Sequence, residues 1–508
     1  MTELNVITRI ERAFREHAER LALSAADGDL SYRELERIVV GITERIGARG
    51  TRPPRIGVLT GDDMHTYASL LAIMAVGAAY VPLNRKNPVE RNQRVIESAA
   101  LDLVLAARPG PEIEALETAM PSCFEVLYTE GLRSDQRLRV ARVRPDDLVY
   151  LFFTSGTTGI PKGVPIRHKN LDAFMGALLG DSSYGFVPED RFLQMFELTF
   201  DLSVMSWFAP LCIGASCHVV PETGIQSLNI VRILDEHDIS VALMVPSVLS
   251  YLRRYFEELE FPKLRHSLFC GEALSHQLTV EWAACLPSAE IRNVYGPTEA
   301  TIFCTEFRWQ EAPSAEQSVN DIVPIGKPTG ATTALVVDES GRAVAQGERG
   351  ELCLLGAQLA EGYWQDESRS AAVFVELEQG GLRQRAYRTG DICFVNDSGN
   401  FVYCGRADAQ VQIDGHRVEL SEVEHYARAF LDGGNAVAVP VRADDGRQEF
   451  VLFLESADEL ERLAQDHLRS KVPSYMIPKR VISVASFPLN LNGKVDRKDL
   501  LGQYLKTL

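Results

Sequence analysis

The chain has no excess of positive charge, no paired cysteine motif and no long uninterrupted apolar run. Its 52 Lys and Arg stand against 70 Asp and Glu, giving a net charge of −18. That balance argues against nucleic acid or an anionic membrane surface as the main partner. The nine cysteines are scattered, with no C-x-x-C pair and no Cys/His spacing of the metal-binding type. Such a pattern fits reduced thiols in a cytoplasmic protein better than a disulfide framework. The longest apolar stretch, Leu70 to Leu83, is interrupted by Gly77 and Pro82. It falls short of the ~20 residues that span a bilayer and reads instead as a helix running into a buried strand. The N-terminus, MTELNVITRIERAFREHAER, lacks the apolar core of a signal peptide. Membrane insertion is therefore not expected.

With 508 residues, the chain is too long for one ordinary core, and two or more domains are expected. Strand and helix patterns alternate through most of it: strands at Arg55 to Leu59, Tyr80 to Leu83, Leu148 to Phe153, Ala242 to Val245 and Ser267 to Cys270, with a helix over Met64 to Val76. Nearly continuous apolar strands between helices imply parallel sheets with both faces covered. After about Ile322, short alternating strands separated by Gly and Asp turns take over (TTALVVDESG, GELCLLG, GNFVYCGR), predicting a more antiparallel, barrel-like section. Beyond Gly405-Arg406-Ala407-Asp408 the pattern becomes α+β, with VQIDGHRVEL leading into a helix over Ser421 to Phe430 and then the strands AVAVPV and EFVLFLE. The fold class expected is α/β: a large N-terminal domain, 1–405, of parallel sheets plus the barrel-like section, and a small mobile α+β C-terminal domain, 409–508.

The loop Phe153 to Gly163, FTSGTTGIPKG, follows an apolar strand. Glycines allow the backbone to fold tightly around an anion, while hydroxyls, N–H groups and Lys162 donate to phosphate oxygens. It is not a Walker A loop, and an exposed Ser/Thr/Gly turn has a similar composition. The full string resembles the phosphate loop of the adenylate-forming superfamily, which includes acyl-CoA synthetases, luciferases and nonribosomal peptide adenylation domains. Further similar strings follow in the family's order: GAAYVPL, YGPTEATI, GELCLLG, YRTGD, GRADAQVQIDGHRVEL and NGKVDR.

The resemblance implies ATP and Mg2+ as cofactors and places Thr154, Ser155, Gly156, Thr157, Thr158, Gly159 and Lys162 on the phosphates. Tyr295 would stack on adenine opposite Gly271, Glu272 and Ala273, with Asn293, Val294, Gly296 and Pro297 beside it. Glu299 offers a hard oxygen to Mg2+, and Thr298 lies next to the phosphates. Asp391 would accept the ribose hydroxyls, with Tyr403 and Arg406 alongside; a turn aspartate is the plainer alternative. Lys494 is the expected catalytic residue. Its ammonium would bridge the substrate carboxylate and the α-phosphate and neutralise charge in the transition state. Asp408 matches the hinge position, and Gly415 and His416 match the loop lining the tunnel for the incoming thiol.

In FDLSVMSW, Asp201 matches the carboxylate that pairs with an amino-acid α-ammonium. A helix N-cap is the competing reading. Acyl- and aryl-acid-activating members generally lack it, because an unpaired buried charge is costly. Leu202, Met205, Leu243, Leu268, Cys270, Val294, Ile302 and Phe303 would complete an apolar pocket with one thiol. FDLSVM and LFCGEAL resemble D-alanine–carrier protein ligases. A small amino acid is therefore expected, alanine first and D-alanine ahead of L-alanine, with glycine or serine as alternatives. The sequence ends at LKTL soon after Lys494 without a carrier domain, so the expected partner is a phosphopantetheinylated carrier protein in trans, with coenzyme A as the alternative acceptor. An acyl- or aryl-CoA ligase, or a nucleotide-binding scaffold without turnover, are the competing readings; Asp201 weighs against the first, Glu299 and Lys494 against the second. Several positions depart from the family pattern: Asn84 stands for a common Asp, Glu361 for a common Arg, and Gln412 and Asp414 for frequent basic residues.

Overall fold

The computed structural model describes residues 5–50, 54–120, 124–156, 161–379, 381–407, 410–431, 434–443, 445–456, 458–488 and 495–505. A six-stranded sheet runs in the order Glu125–Tyr128, Leu103–Ala106, Arg55–Thr60, Ala79–Asn84, Leu148–Thr154, Lys162–Arg167. It is parallel up to its last pair, which is antiparallel. In that pair Thr154 lies opposite Lys162, so the ladder fixes both ends of the phosphate loop. The helix Met64–Ala75 between the first two central strands starts on Asp63, whose side chain accepts from Thr66 N. Such a cap satisfies a donor that the first turn otherwise leaves unpaired.

A nine-stranded sheet has six parallel strands at its centre: Glu290–Tyr295, His266–Phe269, Val241–Met244, Arg191–Gln194, Ser216–Val219 and Leu21–Ala25. Antiparallel strands flank them at both edges. Val241–Met244 and His266–Phe269 are buried along their whole length, as parallel strands covered on both faces should be. Their carboxyl ends, with that of Glu290–Tyr295, open into the largest cavity described below, the usual place for a ligand in an open α/β sheet.

The section after Ile322 contributes a five-stranded antiparallel sheet of Thr332–Val337, Gly350–Gly356, Leu382–Val395, Phe374–Gln379 and Phe401–Arg406. The smaller C-terminal domain holds the hairpin Gln410–Ile413 and His416–Glu419, the helix Leu420–Phe430, and a sheet of Ala436–Arg442, Gln448–Glu455 and Arg480–Val484. Its apolar clusters draw only on residues from Val411 onward, while the main cluster draws on none beyond Tyr403. The contacts between the two are largely polar, and that arrangement shapes the site. No helix among the described residues is long and apolar enough to cross a membrane.

Candidate active site

A cavity of about 650 Å3 lies between the strand ends and the C-terminal hairpin. Its wall includes Gly271, Glu272, Ala273, Asn293, Val294, Tyr295, Gly296, Pro297, Thr298, Asp391, Tyr403 and Arg406, so the residues expected around a nucleoside meet in one place. The Tyr295 hydroxyl donates to Asp391 Oδ2 at 2.5 Å, and Arg406 Nη1 donates to Oδ1 at 2.7 Å. Burial raises the Asp391 pKa, and Arg406 and Tyr295 offset part of that rise. Asp391 lies inside the long strand Leu382–Val395, not in a turn. Gly296 packs so tightly that a Cβ there would lie 2.4 Å from Phe303 Cα.

Asp201 opens the helix Leu202–Ile213 but makes no capping hydrogen bond. It is 4% exposed and lines the cavity, and its Oδ2 has no hydrogen-bond partner among the described residues. Burial pushes its pKa up to about 7, against smaller lowering contributions from Thr298, Ile302 and Leu202. A buried carboxylate left one bond short is costly unless a cation completes it. Leu202, Cys270 and Val294 share the cavity wall with it. Met205, Leu243, Leu268, Ile302 and Phe303 are buried, but they stand behind the cavity rather than on its wall. Phe303 meets Phe174 edge-on at 4.9 Å, so its ring fills space. Thr301 and Ile302 both have positive φ, 56° and 74°, a strained state for β-branched residues that sets the backbone beside Asp201.

The groups expected at the phosphates and at Mg2+ are paired with other parts of the protein. Glu299 is fully buried. Its carboxylate accepts from Arg417 at 3.1 and 3.2 Å and from the Tyr363 hydroxyl at 2.7 Å. Burial alone would raise its pKa; Arg417, Lys162 and Tyr363 outweigh it and bring the value down to about 2. Lys162 pairs with Glu419 at 3.1 Å, and burial lowers its pKa. Ser155 Oγ donates to the Arg417 carbonyl at 2.7 Å, and Gly156 N–H donates to Glu422 at 3.0 Å. Thr154 ends its strand with its hydroxyl buried and unpartnered among the described residues. Thr157, Thr158, Gly159, Asp408 and Lys494 lie outside the described residues.

Gly415 lines the same cavity and approaches Val245 so closely that a Cβ would lie 2.3 Å from its Cγ1. Glu272 holds it, accepting from Gly415 N at 2.8 Å and from Ser247 N at 2.7 Å. A second cavity of about 400 Å3 abuts the first across Phe200 and Ser247, with His416, Val245 and Glu197 in its wall. The His416 ring stacks between Phe200 and Tyr475. Burial would lower its pKa, but the Glu197 carboxylate outweighs this and raises it. The departures from the family pattern have local partners. Glu361 pairs with Arg167 and Lys169, each at 2.7 Å. Asn84 donates to Glu197 at 2.7 Å, and Asp414 accepts from Tyr251 at 3.1 Å.

Sequence reasoning missed Arg417, Glu419 and Glu422 as site residues. Their signal lay in GHRVELSEVE, where Arg417 and Glu419 alternate with buried Val418 along a strand and so share one face.

Fold and cavity together are those of a nucleotide-handling enzyme whose small domain supplies part of the cavity wall. The profile of a family described as AMP-binding enzyme matches residues 10–364. The chain is 30% identical over 511 residues to the D-alanine–D-alanyl carrier protein ligase of Lactiplantibacillus plantarum, covering 98% of each. It is 30% identical over 505 residues to tyrocidine synthase 1 of Brevibacillus parabrevis, covering 97% of this chain and 44% of the synthase. The solved structure of the Vibrio cholerae adenylation domain AlmE, in complex with glycyl-adenosine-5'-phosphate, matches with a TM-score of 0.85 at 26% identity, over 100% of this chain and 98% of that one. The chain belongs to the AMP-binding enzyme family, the adenylate-forming superfamily.

Proposed function

We propose that this enzyme uses ATP to convert a small amino acid, alanine-like and with D-alanine ahead of L-alanine, into its aminoacyl-adenylate, releasing pyrophosphate. It then passes the acyl group to the phosphopantetheine thiol of a separate carrier protein. The observation that carries the reading is Asp201: a buried carboxylate with an oxygen unpartnered among the described residues, on a cavity wall it shares with Leu202, Cys270 and Val294. An α-ammonium completes that carboxylate, and Leu202, Cys270 and Val294 beside it offer an apolar wall with no charged partner for a substrate side chain. The relative in L. plantarum, named a D-alanine–D-alanyl carrier protein ligase, and the glycyl-adenylate held by AlmE support the same substrate class.

The other roles follow the same reading. Tyr295 covers the adenine, and Asp391 with Arg406 receives the ribose. Lys162, Ser155, Gly156 and Thr298 face the phosphates, with Thr154, Thr157, Thr158 and Gly159 completing the loop. Lys494 bridges the attacking carboxylate and the α-phosphate. Glu299 supplies one hard oxygen, and no group of three or more Asp, Glu, His or Cys side chains assembles among the described residues. That donor set fits Mg2+, which takes one or two carboxylates and fills its shell with phosphate and water oxygens. Bound there, Mg2+ would supply neutralisation of the phosphate charge. The small domain from 409 onward carries Lys494 for the first step and Gly415 and His416 for the second, turning at Asp408.

The test is amino-acid-dependent exchange of labelled pyrophosphate into ATP across a panel of amino, aryl and fatty acids. Alanine enantiomers should give the highest kcat/KM, glycine and serine less. Exchange with only an aryl or fatty acid would refute the amino-acid reading, and preference for a large side chain would refute the pocket reading. Thioester formation on a carrier protein against coenzyme A then separates the two acceptors.

A further inference from the structure

The second cavity, of about 400 Å3, holds ionisable groups that the roles above leave unused. Apolar Phe196, Leu198, Val220 and Val248 make up much of its wall. Two of its charges are already paired: Lys86 Nζ meets Glu222 at 3.0 Å, and Asp62 meets Arg85 at 3.0 Å. Glu197 is placed differently. Its Oε2 accepts from Asn84 Nδ2 at 2.7 Å and stands 3.8 Å from His416 Nε2. The side chain is 30% exposed, so a group inside the cavity can reach the carboxylate. Phe200, which stacks on His416, borders both cavities. The pair therefore stands where an acceptor entering by the second cavity meets the first.

The surroundings fix the state of both side chains. Asn84 Oδ1 accepts from Lys86 N at 2.9 Å, which turns its amide nitrogen to Glu197. The aspartate common at that position would set two carboxylates against each other, and one of them would have to be protonated. His416 Nδ1 lies 3.1 Å from the Asp414 carbonyl, which can only accept, so Nδ1 carries the hydrogen. The neutral ring then has its lone pair on Nε2, which is buried and makes no hydrogen bond among the described residues. Phe200 and Tyr475 hold the ring from its two faces, with centroids at 5.5 and 3.9 Å. Burial would raise the Glu197 pKa, but His416, Lys86 and Asn84 outweigh it and lower it. Burial would lower that of His416, but Glu197 and Asp414 outweigh it and raise it. Near neutral pH Glu197 is ionised, and His416 is the better proton acceptor of the two.

Resting on the function proposed above, we propose that Glu197 is the general base of the transfer step, that His416 stores the proton, and that Asn84 positions them both. An ordinary thiol ionises with a pKa of about 8.5, and an apolar wall makes a free thiolate costlier still. A base in the wall avoids that cost by taking the proton as the sulfur attacks. The S–H proton passes to the Glu197 carboxylate and from there to the lone pair of His416 Nε2. The sulfur forms its bond to the carbonyl carbon of the adenylate. The bond from that carbon to the phosphate oxygen breaks, and its electron pair leaves with AMP. What remains is the Glu197 carboxylate beside a His416 imidazolium, an ion pair in place of two facing lone pairs. The imidazolium returns its proton to water once the product has left.

Transfer from the enzyme-bound aminoacyl-adenylate to pantetheine, followed by rapid quench from pH ~6 to ~9.5, reads the base. Wild-type rates should rise through the His416 pKa, above the ordinary value for histidine, and then level off. Glu197→Gln and His416→Phe, the second of which keeps the ring stack, should be slower by about a hundredfold near neutral pH. Their rates should go on climbing ~tenfold per pH unit with the thiolate fraction, so that the gap narrows towards pH ~9.5. Glu197→Asp, which keeps a carboxylate, should still level off, at a lower rate. Trifluoroethanethiol, which ionises more readily than ethanethiol, should lose less than ethanethiol does in Glu197→Gln. A wild-type profile that only follows the thiolate fraction would overturn the inference, as would a loss in the variants that is equal at every pH and for both thiols. Equal losses in transfer and in pyrophosphate exchange, the mark of a structural role, would overturn it too. Failure of the function reading has a different signature: no amino acid supports pyrophosphate exchange in the wild type.

Discussion

At the scale of single residues, Asp201 could be singled out as a candidate for the substrate ammonium only because of the string around it; its position also suits an N-cap. The structure separates the readings by what the side chain does, since it caps nothing and keeps one oxygen unpartnered among the described residues. Its pKa rises from 3.8 to about 7 through burial, so the folded protein binds a proton there that the unfolded chain releases. The sign follows: the contribution to stability is full below pH ~4 and falls as pH rises towards about 7. An α-ammonium reverses the balance by favouring the ionised form. KM for the amino acid should therefore fall as pH rises from about 6 to 8, with a proton released on binding. Asp201→Asn should flatten that profile, raise Tm at pH 8 and weaken the amino acid about a hundredfold, the scale of losing a buried charged pair. Initial rates in a mixed buffer check this. A flat wild-type profile, or an unchanged KM in the Asn variant, removes Asp201 from the role. Five of the other pocket residues named from sequence stand behind the wall, because their apolar character fits either place and the sequence carries no depth.

At the scale of elements, local signals were legible and long-range pairings were not. The strand read over Arg55 to Leu59 runs one residue further, to Thr60, and the helix over Met64 to Val76 ends at Ala75. The turn that Gly390-Asp391 offered as the plainer alternative is not formed: YRTGD lies in a strand whose ladders to Gly350–Gly356 and Phe401–Arg406 are set by distant partners. Asp-Gly at 414–415 is a different case. Both residues have positive φ, 47° and 80°, the conformation of a two-residue hairpin turn that joins Gln410–Ile413 to His416–Glu419. Glycine is required twice there, for the turn and for the approach to Val245. Gly415→Ala adds strain of ~1 kcal/mol and a methyl group inside the wall. Thioester formation on the carrier should fall at least about tenfold more than pyrophosphate exchange, because the turn meets the cavity in this orientation of the small domain. Parallel assays on one preparation decide it; equal losses in the two assays would place Gly415 in general stability rather than in transfer.

At the scale of the molecule, the large and small domains keep separate apolar cores and meet through charge. Interfaces of that kind favour relative motion, and this one has pairs of two sorts. Lys471 and Glu90 meet at 2.8 Å in the open, with side chains 26% and 50% exposed. Arg91 and Glu422 meet at the same distance with side chains 7% and 0% exposed. An exposed pair is worth about 0–1 kcal/mol. Removing one partner of a buried pair costs roughly 3–5 kcal/mol, because the other charge stays desolvated. Lys471→Ala should thus leave the docked state nearly intact. Arg91→Met should release the small domain, since among the described residues Glu422 keeps only the Gly156 amide and regains water by moving away. Small-angle scattering should show a larger radius of gyration for Arg91→Met alone, with unchanged far-ultraviolet circular dichroism. Sodium chloride at about 0.5 M should reproduce little of the effect in the wild type, because buried pairs are weakly screened. If the two variants scattered alike, the difference in burial would not govern docking, and the apolar contacts of His416 with Phe200 would have to hold the domains together instead.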